Sequence, residues 1–407
     1  MRALSLVLLF AVLALPSLAQ DTETERAYRT WLAETLWPQA KIQGVSHSTF
    51  ERALGNARVN WDLPDLVPPG TEAAPPRRNF QAEFRSPARY FRHAASDATV
   101  GRQLASKHAA LLSRIEAQTG VPGHIVLGIW GRESAFGRAP IPHDAFDVLG
   151  TKAFMSRRAA FFRDELIAAL QIAEQGHGPD GALRSSWAGA LGQPQFMPTS
   201  FLEHARDGNG DGRRDIWTSI PDTLTSIAGY LADHGWVPGR DWGFEVRVPE
   251  RVSCTLEGPD QGKPIAEWEA MGITRVSGRP FPAHERSGQG FLMMPAGRLG
   301  PAFIVTPNFY VLKDYNMSDL YALYVGNVGD RIAFGVGDFK SGWQRTGGLM
   351  RGDIARMQSA LVRDGHDVGG VDGLPGFKTR RSIGRWQEAE GLPATCFPAP
   401  GLKARLK

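Results

Sequence analysis

The stretch Gly128-Ile-Trp-Gly-Arg-Glu-Ser-Ala-Phe-Gly137 constrains the fold most, because a helix through it carries a carboxylate into an apolar stripe. A helix opening at Pro122 puts Ile125, Ile129 and Phe136 on the face that holds Glu133. Ile129 precedes the glutamate by four residues, and Trp130 and Phe136 flank it at three, so all are its neighbours on the helix surface. A carboxyl in such a stripe loses water, which disfavours its charged form and raises its pKa. A general acid working near neutral pH needs that property. The competing reading is a surface glutamate beside Arg132.

The chain has 407 residues, enough for two or three domains with substantial cores. Residues 1–19 read as a secretory signal peptide: Arg2 is the basic start, Ala3 to Leu15 an apolar run too short to span a bilayer, and Ser17-Leu18-Ala19 a small-residue cleavage site. No cysteine sits near that cut to carry a lipid anchor, and no later stretch is apolar for long enough to cross a membrane. The expectation is an exported, periplasmic and soluble protein. Its two cysteines, Cys254 and Cys396, are as readily two buried thiols as one bridge. A net charge of +4 suits loose attraction to a polyanion and is too diffuse for nucleic-acid binding.

Residues 21–60 read as helical, with Trp31, Leu32, Leu36 and Trp37 forming a stripe, and a Pro-rich connector follows from Leu63 to Pro76. Helical patterns return over Val100–Thr119, Pro122–Phe136, Arg157–Glu174 and Ile220–His234. Between Phe244 and Phe309 short β-like runs appear, such as Phe244–Val248 and Gly290–Met294. The fold class is therefore α+β, mainly α. A Gly-rich linker, 343–352, leads to a small helical unit over 353–400, in which Asp353 caps one helix and Thr379 opens another.

Three further segments carry polar chemistry. Ser185 to Pro198 sets Ser186, Gln193 and Gln195 among small residues, either to let a ligand approach the backbone or to make a tight Gly/Ala helix contact. Asn308 to Tyr321 offers aromatic rings and amides suited to a sugar, or is an aromatic core strand leading into a helix. Asp207-Gly-Asn-Gly-Asp-Gly-Arg-Arg-Asp215 matches the first half of an EF-hand loop, with oxygen ligands at positions 1, 3 and 5 and glycine at 6. Position 12 is Thr218, so Asp222, sixteenth in the count, would close a longer loop. One incomplete loop on a large domain offers no paired calcium switch, so a structural role is expected.

Together Gly128-Ile-Trp-Gly-Arg-Glu133-Ser, Ser186-Trp-Ala-Gly-Ala-Leu-Gly-Gln-Pro-Gln195, the Asp/Asn/Gly loop and Tyr315-Asn316-x-Ser318 resemble the lytic murein transglycosylase B family over residues 24–342. The resemblance implies a lysozyme-like α-rich core with added α and small β subdomains. It puts Glu133 in the place of the single catalytic glutamate. Ser186, Gln195, Tyr315, Asn316, Tyr321 and Tyr90 fall on glycan-contacting positions. Structural calcium would be held by Asp207, Asn209, Asp211, the Arg213 carbonyl and Asp222, and no cofactor is implied for the chemistry. A tyrosine of the family is replaced by Phe161 or Phe162, and the lipidation cysteine of many members is missing. The tail resembles the peptidoglycan-binding type 1 module, a three-helix bundle, through Asp353-x-x-x-x-Gln358, Asp372-Gly373, Thr379 and Ile383-x-x-Trp386-Gln387. The usual Asp-Gly after Pro393 is Thr395-Cys396 here.

Ordinary glycosidases use two carboxylates, whereas substrate-assisted enzymes borrow the sugar's acetamide. One strong acid without a partner motif fits the second scheme: cleavage of the MurNAc–GlcNAc bond with closure to a 1,6-anhydro sugar. The expected partners are peptidoglycan glycan strands and cell-wall enzyme complexes. A muramidase hydrolysing the same bond and a non-catalytic wall-binding scaffold are the competing readings.

Overall fold

The computed structural model describes residues 15–72, 85–179, 182–344 and 347–406. The first fourteen residues of the expected export signal, and residues 73–76 of the expected connector, lie outside them. The chain forms two units: one from residues up to Pro75 and Gly137–Ser226, the other from Pro76–Phe136 and Ile227 onward.

The first unit is helical. Its helices include His47–Leu54, Ala145–Met155, Ala159–Glu174 and Pro198–His204, with one short antiparallel pairing of His143–Asp144 and Arg184–Ser185. The expected long helix over 21–60 is in pieces. A π-helical turn, Leu32–Leu36, interrupts it, and helix ends at Leu54. Leu32 and Leu36 are buried as the stripe requires. Helix starts are set by short polar side chains: Ser46 accepts the Thr49 amide, and Asp144 accepts the Phe146 amide at 2.9 Å. The packing is close where Gly150 faces Tyr28, since a Cβ there would lie 2.2 Å from the phenol oxygen.

The second unit packs helices beside a sheet. Ala94–Lys107, Ala109–Thr119, Gly123–Ser134, Pro307–Tyr315 and Asp319–Phe334 are its main helices. The expected helix over 100–119 breaks at His108, and Asn308 to Tyr321 is two helices and a turn rather than a strand. The sheet is antiparallel, in the order Lys263–Pro264, Gln289–Met293, Ala302–Val305, Gly243–Arg247, Thr274–Arg275. Phe244, Leu292 and Ile304 from its strands join Trp268 and Phe281 in a buried cluster.

The tail supplies two α-helices, Arg351–Arg363 and Phe377–Ala389, and the expected third helix is a 3₁₀ turn, Pro400–Leu402. Asp353 sits in the first turn instead of capping it, and its carboxylate accepts the Met350 amide at 2.8 Å. Buried Gln358 pins the turn between the helices: its carbonyl accepts the Asp372 and Gly373 amides while its NH2 donates to Asp372, Leu374 and Thr379. The tail core also includes Ala296 from outside the tail. Cys254 and Cys396 form a disulfide across 142 residues. Arg380, itself buried, pairs with buried Glu257, and Arg381 pairs with Asp260. A buried charge is tolerated only when paired, so these contacts tie the tail to the sheet region of its own unit.

Candidate active site

Glu133 lies in the last turn of the helix Gly123–Ser134. The expected continuation to Phe136 fails because Ala135, Phe136 and Gly137 all take left-handed backbone, with φ of 50°, 60° and 76°. Two of these three are not glycine, a strained arrangement that the surroundings have to hold. The Ala135 and Phe136 amides bond back to the Gly131 and Trp130 carbonyls, and the Phe136 ring meets Trp130 edge-on at 5.6 Å. Gly131 makes room for that ring, since a Cβ there would stand 2.6 Å from it. Gly128 admits a neighbouring helix, since its Cβ would lie 2.8 Å from the Val325 carbonyl oxygen of Asp319–Phe334. The two glycines thus set the depth at which the acid is held.

Two effects act in opposition on Glu133. Burial disfavours its charge, while the Tyr321 hydroxyl donates to Oε1 at 2.6 Å and Arg132 favours the carboxylate. Burial dominates, and the pKa is raised from 4.5 to about 7. No second carboxylate of the described residues figures among the charges acting on it. Tyr321 is 1% exposed and stacks on Tyr315 at 6.3 Å, and Tyr230 abuts Tyr315 at 4.7 Å. Burial pushes both the Tyr315 and Tyr321 phenols well up, so each is a donor at any working pH.

Arg132, exposed beside the acid, lies over the rings of Tyr90 at 4.5 Å and Tyr324 at 5.1 Å. Tyr324 in turn donates its hydroxyl to Asp97. In the sequence Arg132 shows only as a neighbour of the acid, and nothing there sets Asp97 apart. The position of Tyr324, three residues after Tyr321 on one helix, was the available signal. Asn316 is exposed in the turn before Ser318, whose side chain caps the helix Asp319–Phe334. Asn316 and Tyr90 share the lining of a groove of about 880 Å³ with Met317, Arg351 and Leu374. Asn308 lies inside the protein, holding the backbone of Val237 and Arg240.

In the first unit, Ser186 and Gln195 occupy a compact loop that also packs tightly on a helix, since a Cβ on Gly189 would lie 2.4 Å from Leu149 of Ala145–Met155. The Ser186 oxygen accepts the amides of Ala188 and Ala190, leaving its hydroxyl hydrogen to offer. Gln195 takes left-handed backbone, φ 57°, and its side-chain NH2 returns to the Gly192 carbonyl at 2.8 Å. Gln193 is buried on the Trp217 carbonyl. Arg158 lies over Phe161 at 3.9 Å, where the resemblance implies a tyrosine.

The metal loop belongs to the same unit. Asp207 accepts the amides of Gly210, Asp211 and Gly212, and the Asn209 oxygen accepts the Asp211 amide. Asp222 is fully buried at the start of Ile220–Asp233 and accepts the amides of Gly208, Asn209 and Asp215. The Arg213 amide donates to Asp211. Hard oxygen donors on alternate loop positions, closed by Asp222 on the loop backbone, fit a hard cation in kind. Among the described residues, the one set of three carboxylate or imidazole groups within 4.8 Å of one another is instead Asp241, His284 and Glu285. Arg240 neutralises Glu285 there at 2.6 Å.

The site so built is one desolvated carboxyl at a strained helix end, with tyrosines around it. Residues 27–330 match the family described as Transglycosylase SLT domain, and the chain belongs to that family. It is 32% identical over 231 residues to the membrane-bound lytic murein transglycosylase B of Escherichia coli K12, a match covering 54% of this chain and 60% of that relative. SltB3 from Pseudomonas aeruginosa, solved with NAG-anhNAM-pentapeptide and with NAG-NAM-pentapeptide, is 36% identical. That likeness covers 93% of this chain and 99% of SltB3, with a TM-score of 0.83. The Escherichia coli lytic transglycosylase SLT35 in complex with calcium is 29% identical, covers 61% of this chain and 78% of its own, and has a TM-score of 0.52. The mainly α, α+β fold expected from the sequence is that of these relatives. Among the described residues no helix is long and apolar enough to cross a membrane.

Proposed function

We propose that the protein is a lytic transglycosylase of peptidoglycan with Glu133 as its single acid and base. The observation that carries this reading is the Glu133 carboxyl set among apolar neighbours and held by the Tyr321 hydroxyl, its pKa raised to about 7 by burial, with no second carboxylate among the described residues acting on it. Glu133 gives its proton to the oxygen joining MurNAc C1 to GlcNAc, and the C1–O bond breaks. The carbonyl oxygen of the 2-acetamido group steadies the cationic C1, with Ser186 or Asn316 donating to that group. The Glu133 carboxylate then takes the proton of the MurNAc 6-hydroxyl as O6 bonds to C1. A 1,6-anhydro end forms, Glu133 is again protonated, and no water is consumed. Tyr321 holds the carboxylate during the half-cycle in which it is charged.

SltB3 has been solved with both an anhydro-sugar and a NAG-NAM ligand, which supports a peptidoglycan substrate and leaves the anhydro product to the test below. A scaffold without chemistry has no use for a desolvated acid beside a strained helix end. Gln195, Tyr315 and Tyr90 complete the glycan contacts in this reading. Calcium held by Asp207, Asn209, Asp211, the Arg213 carbonyl and Asp222 stiffens the loop and takes no part in the reaction. The calcium complex of SLT35 supports that assignment. Residues 353–400 serve as a wall-binding module, and residues 1–19 direct export to the periplasm. Digestion of purified sacculi followed by muropeptide mass analysis tests the proposal. Anhydro ends, one water lighter than reducing ends, are expected, and reducing ends would make the protein a muramidase.

A further inference from the structure

Away from Glu133, a cavity of about 390 Å³ opens in the second unit between the strand Gly243–Arg247 and the segment 335–340 that follows the helix Asp319–Phe334. Its lining mixes charges of both signs over an aromatic wall that includes Trp242 and Phe244. One Asp330 oxygen accepts the Trp242 indole N–H at 3.1 Å, and the other has no partner among the described residues. The Asn327 oxygen is taken by Arg331, while its NH2 has no partner among the described residues. Arg275 lies over the Phe244 ring at 4.8 Å and acts electrostatically on Asp330. Lys340 stands at the rim without an ion pair among the described residues.

The remaining lining charges are spent. Both Glu245 oxygens accept backbone amides, those of Lys340 and Ser341, which pins the 335–341 segment to the strand. Asp338 pairs with Arg331 at 2.6 Å. Arg275 donates to the Pro280 carbonyl at 3.0 Å and faces Asp241 as well as Asp330, so what stays available among the described residues is one carboxyl oxygen, Lys340, the rest of the Arg275 guanidinium and one amide donor. A simple anion would face Asp330, and a simple cation would face Arg275 and Lys340. A molecule carrying an ammonium and a carboxylate satisfies both, with its apolar part against the aromatic wall.

We propose that this cavity is a second binding site, for a small zwitterion of the amino-acid or dipeptide class, whose ammonium meets Asp330 and whose carboxylate meets Arg275 and Lys340. The volume lies at the small-molecule end of ligand pockets, typically about 300–1,000 Å³. Burial raises the Asp330 carboxyl to about pH 7 in the empty cavity, so an ammonium group arriving there would draw it into its charged form. The site stands apart from the Glu133 chemistry and does not depend on it.

The indole N–H of Trp242 reports directly on the cavity, and its nitrogen-15 signal is assigned by its disappearance in Trp242→Phe. Glycylglycine added to the full-length protein should move that signal saturably. N-acetylglycylglycine, lacking the ammonium, and glycylglycinamide, lacking the carboxylate, should each bind about tenfold more weakly or worse, the size of one lost charged hydrogen bond. Asp330→Asn and Arg275→Gln should weaken glycylglycine to a similar degree, and Glu133→Gln should leave it unchanged. Lys340→Ala, at an exposed position, keeps the test open if either variant at the half-buried Asp330 or Arg275 fails to fold. An unmoved Trp242 signal, equal binding of all three peptides, or indifference to the substitutions that fold would overturn the proposal.

Discussion

Replacing Glu133 by glutamine should stabilise the protein, by an amount that depends on pH. The carboxyl has an ordinary value of 4.5 and is raised to about 7 in the folded protein. Between these values the native state keeps the proton and the unfolded state has lost it, so folding stability falls as pH rises through that window. Below it the group contributes no penalty, and above it the penalty is complete. A shift of about 2.5 units corresponds to roughly 3 kcal/mol at about 1.4 kcal/mol per unit, read as an upper figure for a partly exposed residue. Glutamine cannot ionise, yet its carbonyl can still accept the Tyr321 hydroxyl. The stability difference, variant minus wild type, should therefore be near zero at about pH 4 and rise by about 2–3 kcal/mol at about pH 8. Urea denaturation followed by tryptophan fluorescence at a series of pH values measures it. Asp330 titrates in both proteins and cancels in the difference. A difference that stays flat with pH, or that turns negative above neutrality, would refute the claim that burial is what holds Glu133 protonated.

Other consequences are equally open to measurement. Tyr321→Phe removes a hydrogen bond that favours the charged carboxylate, so Glu133 should titrate higher and the alkaline limb of the pH–rate profile should move up by about one unit. A limb that stays put would deny Tyr321 this role. Calcium in hundredfold excess over its dissociation constant should stabilise the wild type by about 3 kcal/mol, a rise in melting temperature that a chelator reverses and Asp207→Ala abolishes. An unchanged melting temperature in the wild type would count against the loop as a metal site. Replacing Cys254 and Cys396 together by serine should lower stability by up to about 5 kcal/mol, the loop-closure figure for a crosslink of this span, read from the urea midpoint. No change would mean that the tail is held by its ion pairs and its apolar packing without help from the crosslink.

The general fold and the desolvated carboxyl at position 133 were legible in the sequence, because helix periodicity and the Glu133 stripe are local patterns. It did not reveal why Gly128 and Gly131 are glycines, since their neighbours, the Val325 carbonyl and the Phe136 ring, are brought close by packing and by a strained turn. The helix end was misplaced for the same reason: neither Ala135 nor Phe136 advertises left-handed backbone. Asn308 to Tyr321 read equally well as a strand because a short aromatic run carries no decisive period. Asp330 was invisible, as its partner Trp242 lies 88 residues away and only the fold joins them. The pairing of the cysteines and of Arg380 with Glu257 was hidden by sequence separations of 142 and 123 residues. Those distant contacts explain why the tail, read as a module beyond a linker, belongs to the second unit.

The central claim is that one side chain both gives and takes back the proton. Turnover of purified sacculi by Glu133→Gln, with released muropeptides counted against the wild type under single-turnover conditions, addresses it most directly. Loss of one positioned acid–base typically lowers the rate by about a hundredfold to ten-thousandfold, and because Glu133 serves both steps the loss should reach or exceed the upper figure. Release of anhydro-ended fragments at close to the wild-type rate would contradict the account.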